Sequence, residues 1–164
     1  MNKFKTVFLD RDGVINQERI DHVKNISELK IFPFVSKAIK KLQIAEFKII
    51  VITNQSAINR GLMNHQDLKN IHKEIQIFLS QDETKIDSFY YCPHTPNENC
   101  LCRKPKTGLL LKAINDFSID VKNSWFVGDS ESDILAGQSV GCKTIKINDS
   151  TNLERAVDII LTSD

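Results

Sequence analysis

Two aspartates two positions apart, Asp10 and Asp12, are the residues whose types and spacing most clearly suggest chemistry. They follow the short apolar run Thr6–Leu9, which predicts a β-strand, and Gly13 after them allows the chain to turn. Side chains at i and i+2 of an extended backbone point the same way, so both carboxylates can converge where the strand ends. Such a pair suits a divalent cation, or a nucleophile with a proton-transfer partner. From this stretch alone, a polar turn without chemistry is an equal alternative.

Hydrophobic patterning predicts strands and helices that alternate around this pair. Continuous apolar runs predict strands at 6–9, 48–53, 88–91, 124–128 and 143–147, and a possible sixth, edge strand at 157–161. Apolar residues at helical spacing predict helices at 35–42, 68–78, 108–117 and 134–140. This alternation is typical of a doubly wound, mostly parallel α/β sheet with helices on both faces. No connection is long enough for a separate cap domain.

Polar groups follow four of the predicted strands, and right-handed crossovers bring the carboxyl ends of these strands to one side of the sheet. These groups are Asp10 with Asp12, the segment 53–56, Arg103 with Lys104, and Asp129 with Asp133. Asp10 and Asp129 could chelate Mg²⁺. Thr53 and Lys104 could hold a phosphate. Asp10 is then free to attack and Asp12 to move a proton, which is the set that phosphoryl transfer through an aspartyl-phosphate requires.

A second cluster lies in the loop after the third predicted strand. Three of the four cysteines and one histidine stand close together there: Cys92, His94, Cys100 and Cys102. Three thiolates and one imidazole are the ligands of a closed, structural zinc site, and in a cytosolic protein they favour metal over disulfides. A disulfide within the loop is the alternative. Because the loop leads directly to Arg103 and Lys104, zinc would clamp the segment that aims both cations.

The composition limits the class of protein. The 164 residues are an ordinary globular mixture with a formal net charge of +1, and they suffice for one domain with a proper core. No basic stripe indicates nucleic acid, and we find no signal peptide and no apolar run that could span a bilayer. We therefore expect residues 1–164 to form one cytoplasmic, monomeric domain, with the zinc-binding loop at 92–102.

Four motifs in order resemble those of the haloacid dehalogenase superfamily, across nearly the whole chain. They are Asp10-x-Asp12-Gly13, Thr53 after an apolar strand, Lys104, and Gly128-Asp129-x-x-x-Asp133. The resemblance implies a phosphatase in which Asp10 is the nucleophile and Asp12 the general acid and base. It implies Mg²⁺ held by Asp10, the backbone carbonyl of Asp12, and Asp129, with Asp133 as a supporting acid. The alternative is an inactive relative that binds a phospho-ligand on a zinc-stabilised fold.

The same resemblance implies which residues hold the transferred group. Thr53, Asn54 and Lys104 would bind the phosphoryl group. The binding partner would be a small-molecule sugar phosphate. We expect no binding to nucleic acid or to a membrane.

The cysteine loop, with Arg103-Lys104-Pro105 after it, narrows the resemblance to a zinc-containing, lidless branch of the superfamily. This branch includes D-glycero-D-manno-heptose 1,7-bisphosphate phosphatases and histidinol-phosphate phosphatases. The segments 53–61, with its Arg60-Gly61 pair, and 90–94 are more similar to the heptose enzymes. The resemblance therefore implies removal of the 7-phosphate of the heptose bisphosphate, in the making of nucleotide-activated heptose. Histidinol-phosphate phosphatase, in histidine biosynthesis, is the alternative.

A bisphosphate substrate needs further cations, and Arg60 and Arg103 could supply them as bidentate clamps. Gln55 and Ser56 would complete the substrate-binding set. Two departures fall on substrate-facing segments. Ser130 stands where heptose enzymes often carry a lysine, and Asp21-His22 where they tend to carry Gly-Tyr.

Two histidines near the second predicted helix, His65 and His72, have no ligand partner at a useful spacing. We expect both of them on the surface. Trp125, inside a predicted strand, is expected in the core.

Overall fold

Five parallel strands form the centre of the molecule in a computed structural model that describes residues 2–163. The strands are β1 (Thr6–Leu9), β2 (Lys48–Asn54), β3 (Ser88–Cys92), β4 (Trp125–Gly128) and β5 (Lys143–Lys146). The helices are α1 (Val35–Ile44), α2 (His65–Ser80), α3 (Gly108–Phe117), α4 (Glu131–Val140) and α5 (Leu153–Thr162). Short 3₁₀ helices lie at Ile26–Glu28, Pro96–Glu98 and Val121–Asn123. The predicted α/β fold is confirmed.

The strand order β3-β2-β1-β4-β5 places β1 in the middle of the sheet, paired in parallel with β2 and β4. All four residues of β1 are buried, as a strand covered by helices on both faces requires. The chain winds outward from β1 to β3 and then returns to place β4 on the other side of β1. In such sheets the ligand crevice opens at this reversal, beyond the carboxyl ends of the two strands. Asp10 and Asp129 directly follow β1 and β4, so the topology delivers both carboxylates to the crevice.

Helices cover both faces of the sheet, as predicted. On one face α1, α2 and α5 pack on a core that includes Val7, Leu9 and Val127. On the other face α3 and α4 pack around Phe8 and Phe126. Within residues 2–163 no element stands apart as a cap, and none of the helices there is both long and apolar enough to cross a bilayer.

The prediction of a sixth strand at 157–161 is wrong, because this segment belongs to α5. Apolar residues recur there at helical spacing, and the buried ones are Leu153, Ala156, Val157 and Ile160. The side chain of Asn152 caps the helix by accepting a hydrogen bond from the Arg155 N–H at 3.0 Å. The apolar run at 157–161 resembles a strand only when the first turn of α5 and its cap residue Asn152 are not considered.

The prediction that His72 lies on the surface is also wrong, whereas His65 is exposed as expected. His72 is 8% exposed, because it shares the inward face of α2 with Leu68 and Ile75, four residues before it and three after it. Its ring stacks on Phe89 with centroids 4.2 Å apart. Burial, and then the nearby Arg11 guanidinium, lower the pKa of His72 to about 3.

This depressed pKa predicts a loss of stability in acid that His72→Gln removes. The unfolded chain protonates the imidazole below pH 6.5 while the folded protein keeps it neutral down to about pH 3. The parent therefore loses stability as the pH falls through that window, by about 2 kcal/mol between pH 6.5 and 4.5. Urea unfolding at both pH values should show this extra loss in the parent and not in His72→Gln. His65→Gln is the control for the loss of an exposed histidine. If the free energy of unfolding changes equally with pH in the parent and in His72→Gln, the lowered pKa of His72 is contradicted.

Candidate active site

A cavity of about 200 Å³ opens beyond the carboxyl ends of the strands. Nine of the predicted site residues line it: Asp10, Asp12, Asn54, Gln55, Ser56, Arg103, Lys104, Asp129 and Asp133. Thr53 is fully buried beneath its wall, and Arg60 is exposed and does not line it. The cavity is also lined by Glu18, Arg19 and His22 from the loop at 17–30, whose position its polar sequence could not predict.

The ammonium of Lys104 is buried at the bottom of this cavity, with the residue 3% exposed. Its Nζ donates to Asp10 Oδ1 at 3.0 Å, to Asp133 Oδ1 at 2.6 Å and to the carbonyl oxygen of Ile52 at 2.7 Å. Three donors thus meet three acceptors, which satisfies the buried charge. The amide of Asn54 exchanges two hydrogen bonds with the Lys104 backbone, at 3.1 and 3.3 Å. Lys104 is therefore held at both its backbone and its charged end.

Three carboxylates surround a point beside Lys104, since oxygens of Asp10, Asp129 and Asp133 lie within 4.8 Å of one another. Burial raises the pKa of Asp10 to about 8; Lys104 opposes this effect, and the Asp133 and Asp12 carboxylates reinforce it. Burial, Asp133 and Glu18 likewise raise the pKa of Asp129. The single positive charge of Lys104 does not neutralise three carboxylates. A group of carboxylate oxygens with excess negative charge is a suitable site for a hard divalent cation.

Asp133, in the first turn of α4, both binds Lys104 and caps the helix. Its Oδ1 binds Lys104, while its Oδ2 accepts from the Ser130 N–H at 3.2 Å, and the Ser130 hydroxyl accepts from the Asp133 N–H in return. This reciprocal capping box explains what a serine does at 130, because a lysine has no side-chain acceptor with which to cap the helix. A side chain at Gly128 would overlap Asp133, so the close approach of strand and carboxylate needs glycine.

Asp12 has a different environment from Asp10. Its Oδ1 accepts from Arg11 at 2.9 Å and from Asn16 at 2.9 Å, and its Oδ2 accepts from Gln55 at 2.9 Å. Burial raises the pKa of Asp12, but the charge of Arg11 and these hydrogen bonds outweigh that effect and lower it overall. Sequence reasoning missed Arg11 and Asn16; a charged residue between two acids directly after a buried strand was the available signal.

Gln55 and Thr53 also bond to each other, because Gln55 Nε2 donates to Thr53 Oγ1 at 2.9 Å. The amide of Gln55 therefore bridges the second strand end to Asp12. The structure brings Gln55 to the cavity wall, as expected for a substrate-binding residue, but its amide nitrogen already serves the site itself.

The predicted arginines occupy different places. Arg103 lines the cavity, and its Nη1 donates to the carbonyl oxygen of His94 at 3.2 Å. Arg60 lies outside, where its Nε donates to the Ser56 hydroxyl at 3.2 Å. Arg19 also lines the cavity and forms two hydrogen bonds of 2.9 and 3.0 Å with Asp21. The lysine and arginine residues that line the cavity in the described part of the chain are therefore Lys104, Arg103 and Arg19.

The four predicted metal ligands of the cysteine loop converge. The Sγ of Cys92 lies 3.3 Å from His94 Nδ1 and 3.6 Å from Cys100 Sγ. Cys102 Sγ lies 3.2 Å from His94 Nδ1 and 3.5 Å from Cys100 Sγ. The three cysteines are free thiols, and their Sγ–Sγ separations exceed the S–S bond of about 2.05 Å. They are close to the edges of roughly 3.5–3.8 Å expected of a tetrahedron around zinc. This Cys₃His cluster therefore fits a tetrahedral metal ion.

Comparisons with known proteins agree with this site. A family model described as polynucleotide kinase 3 phosphatase matches residues 5–156. The D-glycero-beta-D-manno-heptose-1,7-bisphosphate 7-phosphatase of Haemophilus ducreyi is 40% identical over 149 residues, which cover 85% of this chain and 80% of that protein. The protein of the same name from Pseudomonas aeruginosa is 36% identical over 141 residues, covering 86% and 79%.

A solved structure agrees in fold as well. The D,D-heptose 1,7-bisphosphate phosphatase from B. bronchiseptica, complexed with magnesium and phosphate, has a TM-score of 0.89 at 29% identity, covering 98% of this chain and 100% of that one. Crystal structures of haloacid dehalogenase hydrolases share the fold at lower identity. The chain therefore belongs to the polynucleotide kinase 3 phosphatase family, and the relatives named above are heptose-bisphosphate phosphatases.

Proposed function

We propose that this protein is a phosphatase that removes the 7-phosphate of D-glycero-D-manno-heptose 1,7-bisphosphate. The observation that carries the proposal is the buried carboxylate of Asp10, held by Lys104 at the bottom of an open cavity that Asp12 and Asp129 also line. Relatives at 36–40% identity bear this activity in their names, and they support the choice of substrate. The reaction would belong to the making of nucleotide-activated heptose.

In the first half of the proposed reaction, a carboxylate oxygen of Asp10 attacks the phosphorus atom and the ester oxygen leaves. Lys104 lowers the repulsion between the carboxylate and the phosphate dianion. Asp12 enters this step protonated and donates its proton to the departing oxygen, and the phosphoryl group remains on Asp10. In the second half, Asp12 takes a proton from water, the water attacks the phosphorus, and phosphate leaves from Asp10. Both residues return to their starting states.

A divalent cation fits the group of acids beside Lys104, and we propose that it is Mg²⁺. Asp10, the backbone carbonyl of Asp12, and Asp129 would hold it, with Asp133 supporting the site through Lys104. Bound there, the ion would offset the charge of the phosphate and favour the ionised form of Asp10. The presence of magnesium and phosphate in the solved relative supports this choice.

The remaining site residues divide between the two ends of the substrate. Thr53, Asn54 and Lys104 would receive the transferred phosphoryl group. Gln55, Ser56, Arg60 and Arg103 would bind the rest of the molecule. We place Arg19 with this second group because it lines the same cavity as Arg103.

We further propose zinc in the Cys₃His cluster and a monomeric, cytoplasmic enzyme in which residues 1–164 form one phosphatase domain around the zinc-binding loop at 92–102. The cluster would act through preorganisation. The Arg103 N–H donates to Cys100 Sγ at 3.3 Å, and the Arg103 guanidinium donates to the His94 carbonyl. A metal that orders the loop therefore orders Arg103 from both its ends.

Histidinol phosphate is the second candidate substrate, and one observation favours it. Glu18 lines the cavity, and a carboxylate suits the ammonium group of histidinol phosphate. Arg103 and Arg19 favour the bisphosphate instead, because two cations match a second phosphate.

Turnover of the two substrates tests the proposed function. We expect kcat/KM for the heptose bisphosphate in Mg²⁺ to exceed that for histidinol phosphate, since Arg103 lines the cavity and can bind a second phosphate. Asp10→Asn should lower kcat by at least about 10⁴-fold because it removes the nucleophile. The reverse preference would favour histidinol-phosphate phosphatase, and absence of phosphate release from any phosphomonoester would favour a binding module. Substantial activity in Asp10→Asn would exclude the assigned nucleophile.

Arg103→Met and Arg60→Met form a matched pair of variants. Arg103 lines the cavity and Arg60 does not, so Arg103→Met should raise KM for the bisphosphate by about tenfold or more. Arg60→Met should have a smaller effect, through the Ser56 hydroxyl alone. Steady-state kinetics on the bisphosphate decides between them. A larger rise in KM for Arg60→Met than for Arg103→Met would mean that the loop at 59–61 folds over the bound substrate.

Metal analysis tests the Cys₃His cluster. We expect about one tightly held zinc per chain in protein purified without chelator, because three thiolates and one imidazole form a closed tetrahedral site. Cys102→Ser should lose the zinc and lower kcat by loosening the segment of Arg103 and Lys104. Cys142→Ser is the control, since Cys142 is buried outside the cluster. Protein that holds no zinc and is fully active would overturn the assignment.

A further inference from the structure

A buried pair that the proposed reaction does not use, Arg11 and His72, lies behind Asp12. Arg11 is 0% exposed, and its Nη2 donates to Asp12 Oδ1 at 2.9 Å and to Oδ2 at 3.2 Å. Its Nη1 lies 3.3 Å from His72 Nε2. Its Nε has no hydrogen-bond partner within the described part of the chain. The guanidinium therefore depends on these two side chains for its contacts.

A fully buried guanidinium is costly unless it is paired, because the desolvation penalty amounts to several kcal/mol. A purely structural role would be served as well by an apolar side chain of similar volume. Arginine stays charged in proteins and can only donate, so His72 Nε2 must accept. The ring proton of His72 then lies on Nδ1, which assigns the tautomer from the hydrogen bond. His72 is in turn fixed by its stacking on Phe89.

The pair reaches Asp12 from the interior of the protein, because both residues are buried and neither lines the cavity. Arg11 extends from the end of β1 toward α2, where His72 holds its second nitrogen. Asn16 and Gln55 complete the contacts to the two oxygens of Asp12. Because Arg11 touches both oxygens, a shift of its guanidinium would rotate the Asp12 carboxylate.

We propose that Arg11 and His72 are a positioning pair that holds the carboxyl group of Asp12 in the orientation needed for it to give a proton to the departing oxygen. Arg11 acts on Asp12 directly, and His72 acts through Arg11. Neither residue touches the reacting atoms. The inference rests on the proposed role of Asp12 as general acid, but it is independent of which sugar phosphate is the substrate.

The chemistry of the leaving group separates positioning from mere folding. A benzyl alkoxide needs a proton as it leaves, whereas p-nitrophenolate leaves readily without one. Loss of a well-placed general acid therefore slows benzyl phosphate selectively. A general loss of structure would slow both esters alike.

The experiment measures kcat on p-nitrophenyl, phenyl and benzyl phosphate in Mg²⁺ for three variants. His72→Leu removes the acceptor, His72→Gln keeps an amide oxygen in its place, and Arg11→Met removes the guanidinium. We expect His72→Leu and Arg11→Met to lower kcat on benzyl phosphate by about 10–100-fold, within the range of general acid catalysis, with p-nitrophenyl phosphate much less affected. His72→Gln should recover most of the lost activity.

Ser36→Ala is the control variant, because it disturbs another buried polar contact, Ser36 to Thr84 at 3.4 Å, away from the site. It should leave the ratio of benzyl to p-nitrophenyl activity unchanged. An equal loss on all three esters, or no loss, in His72→Leu would overturn the proposal even if Arg11→Met fails to fold. If the parent protein hydrolyses the three esters but not the heptose bisphosphate, only the proposed substrate is refuted. The proposal for Arg11 and His72 is then still judged by the ratio of kcat on benzyl phosphate to kcat on p-nitrophenyl phosphate.

Discussion

The ammonium of Lys104 lies between two buried carboxylates, Asp10 and Asp133, and much of the site depends on this arrangement. Removing one partner of a buried charge pair leaves the other uncompensated, which costs about 3–5 kcal/mol. Each of the three residues comes from a different element: the end of β1, the loop before α3, and the first turn of α4. The charge network therefore couples three segments that are far apart in sequence, and it holds Asp10 where a phosphate can reach it.

The two aspartates of the first motif are chemically similar residues with opposite surroundings. Asp10 faces burial and neighbouring acids, which raise its pKa, whereas Asp12 faces Arg11 and three hydrogen bonds, which lower its pKa. The raised pKa of Asp10 reflects an excess of negative charge around it, which a divalent cation bound to these acids would offset. Here the cavity sets the first environment and the interior of the protein, through Arg11 and His72, sets the second.

The loop that carries the Cys₃His cluster has little core of its own. In its place, short-range contacts connect it to the site: Asn54 binds the Lys104 backbone, and Arg103 contacts both Cys100 and His94. A metal at the cluster and a phosphate in the cavity would thus order the same segment from two sides. A metal in the cluster would therefore help to fix the cations that line the cavity.

Sequence patterns alone predicted the alternating fold, the convergence of Asp10, Asp12, Asp129 and Lys104, and the grouping of the four cluster ligands. These predictions succeed because the carboxyl ends of parallel strands share one edge of the sheet, and because metal ligands fall close together along the loop. The helical spacing of Leu153, Ala156, Val157 and Ile160 was present in the sequence and was missed. Tertiary structure alone decided that Arg103 and not Arg60 lines the cavity, and that His72 is buried against Arg11. Local periodicity does not specify these features, because each depends on which distant side chain packs opposite the residue in question.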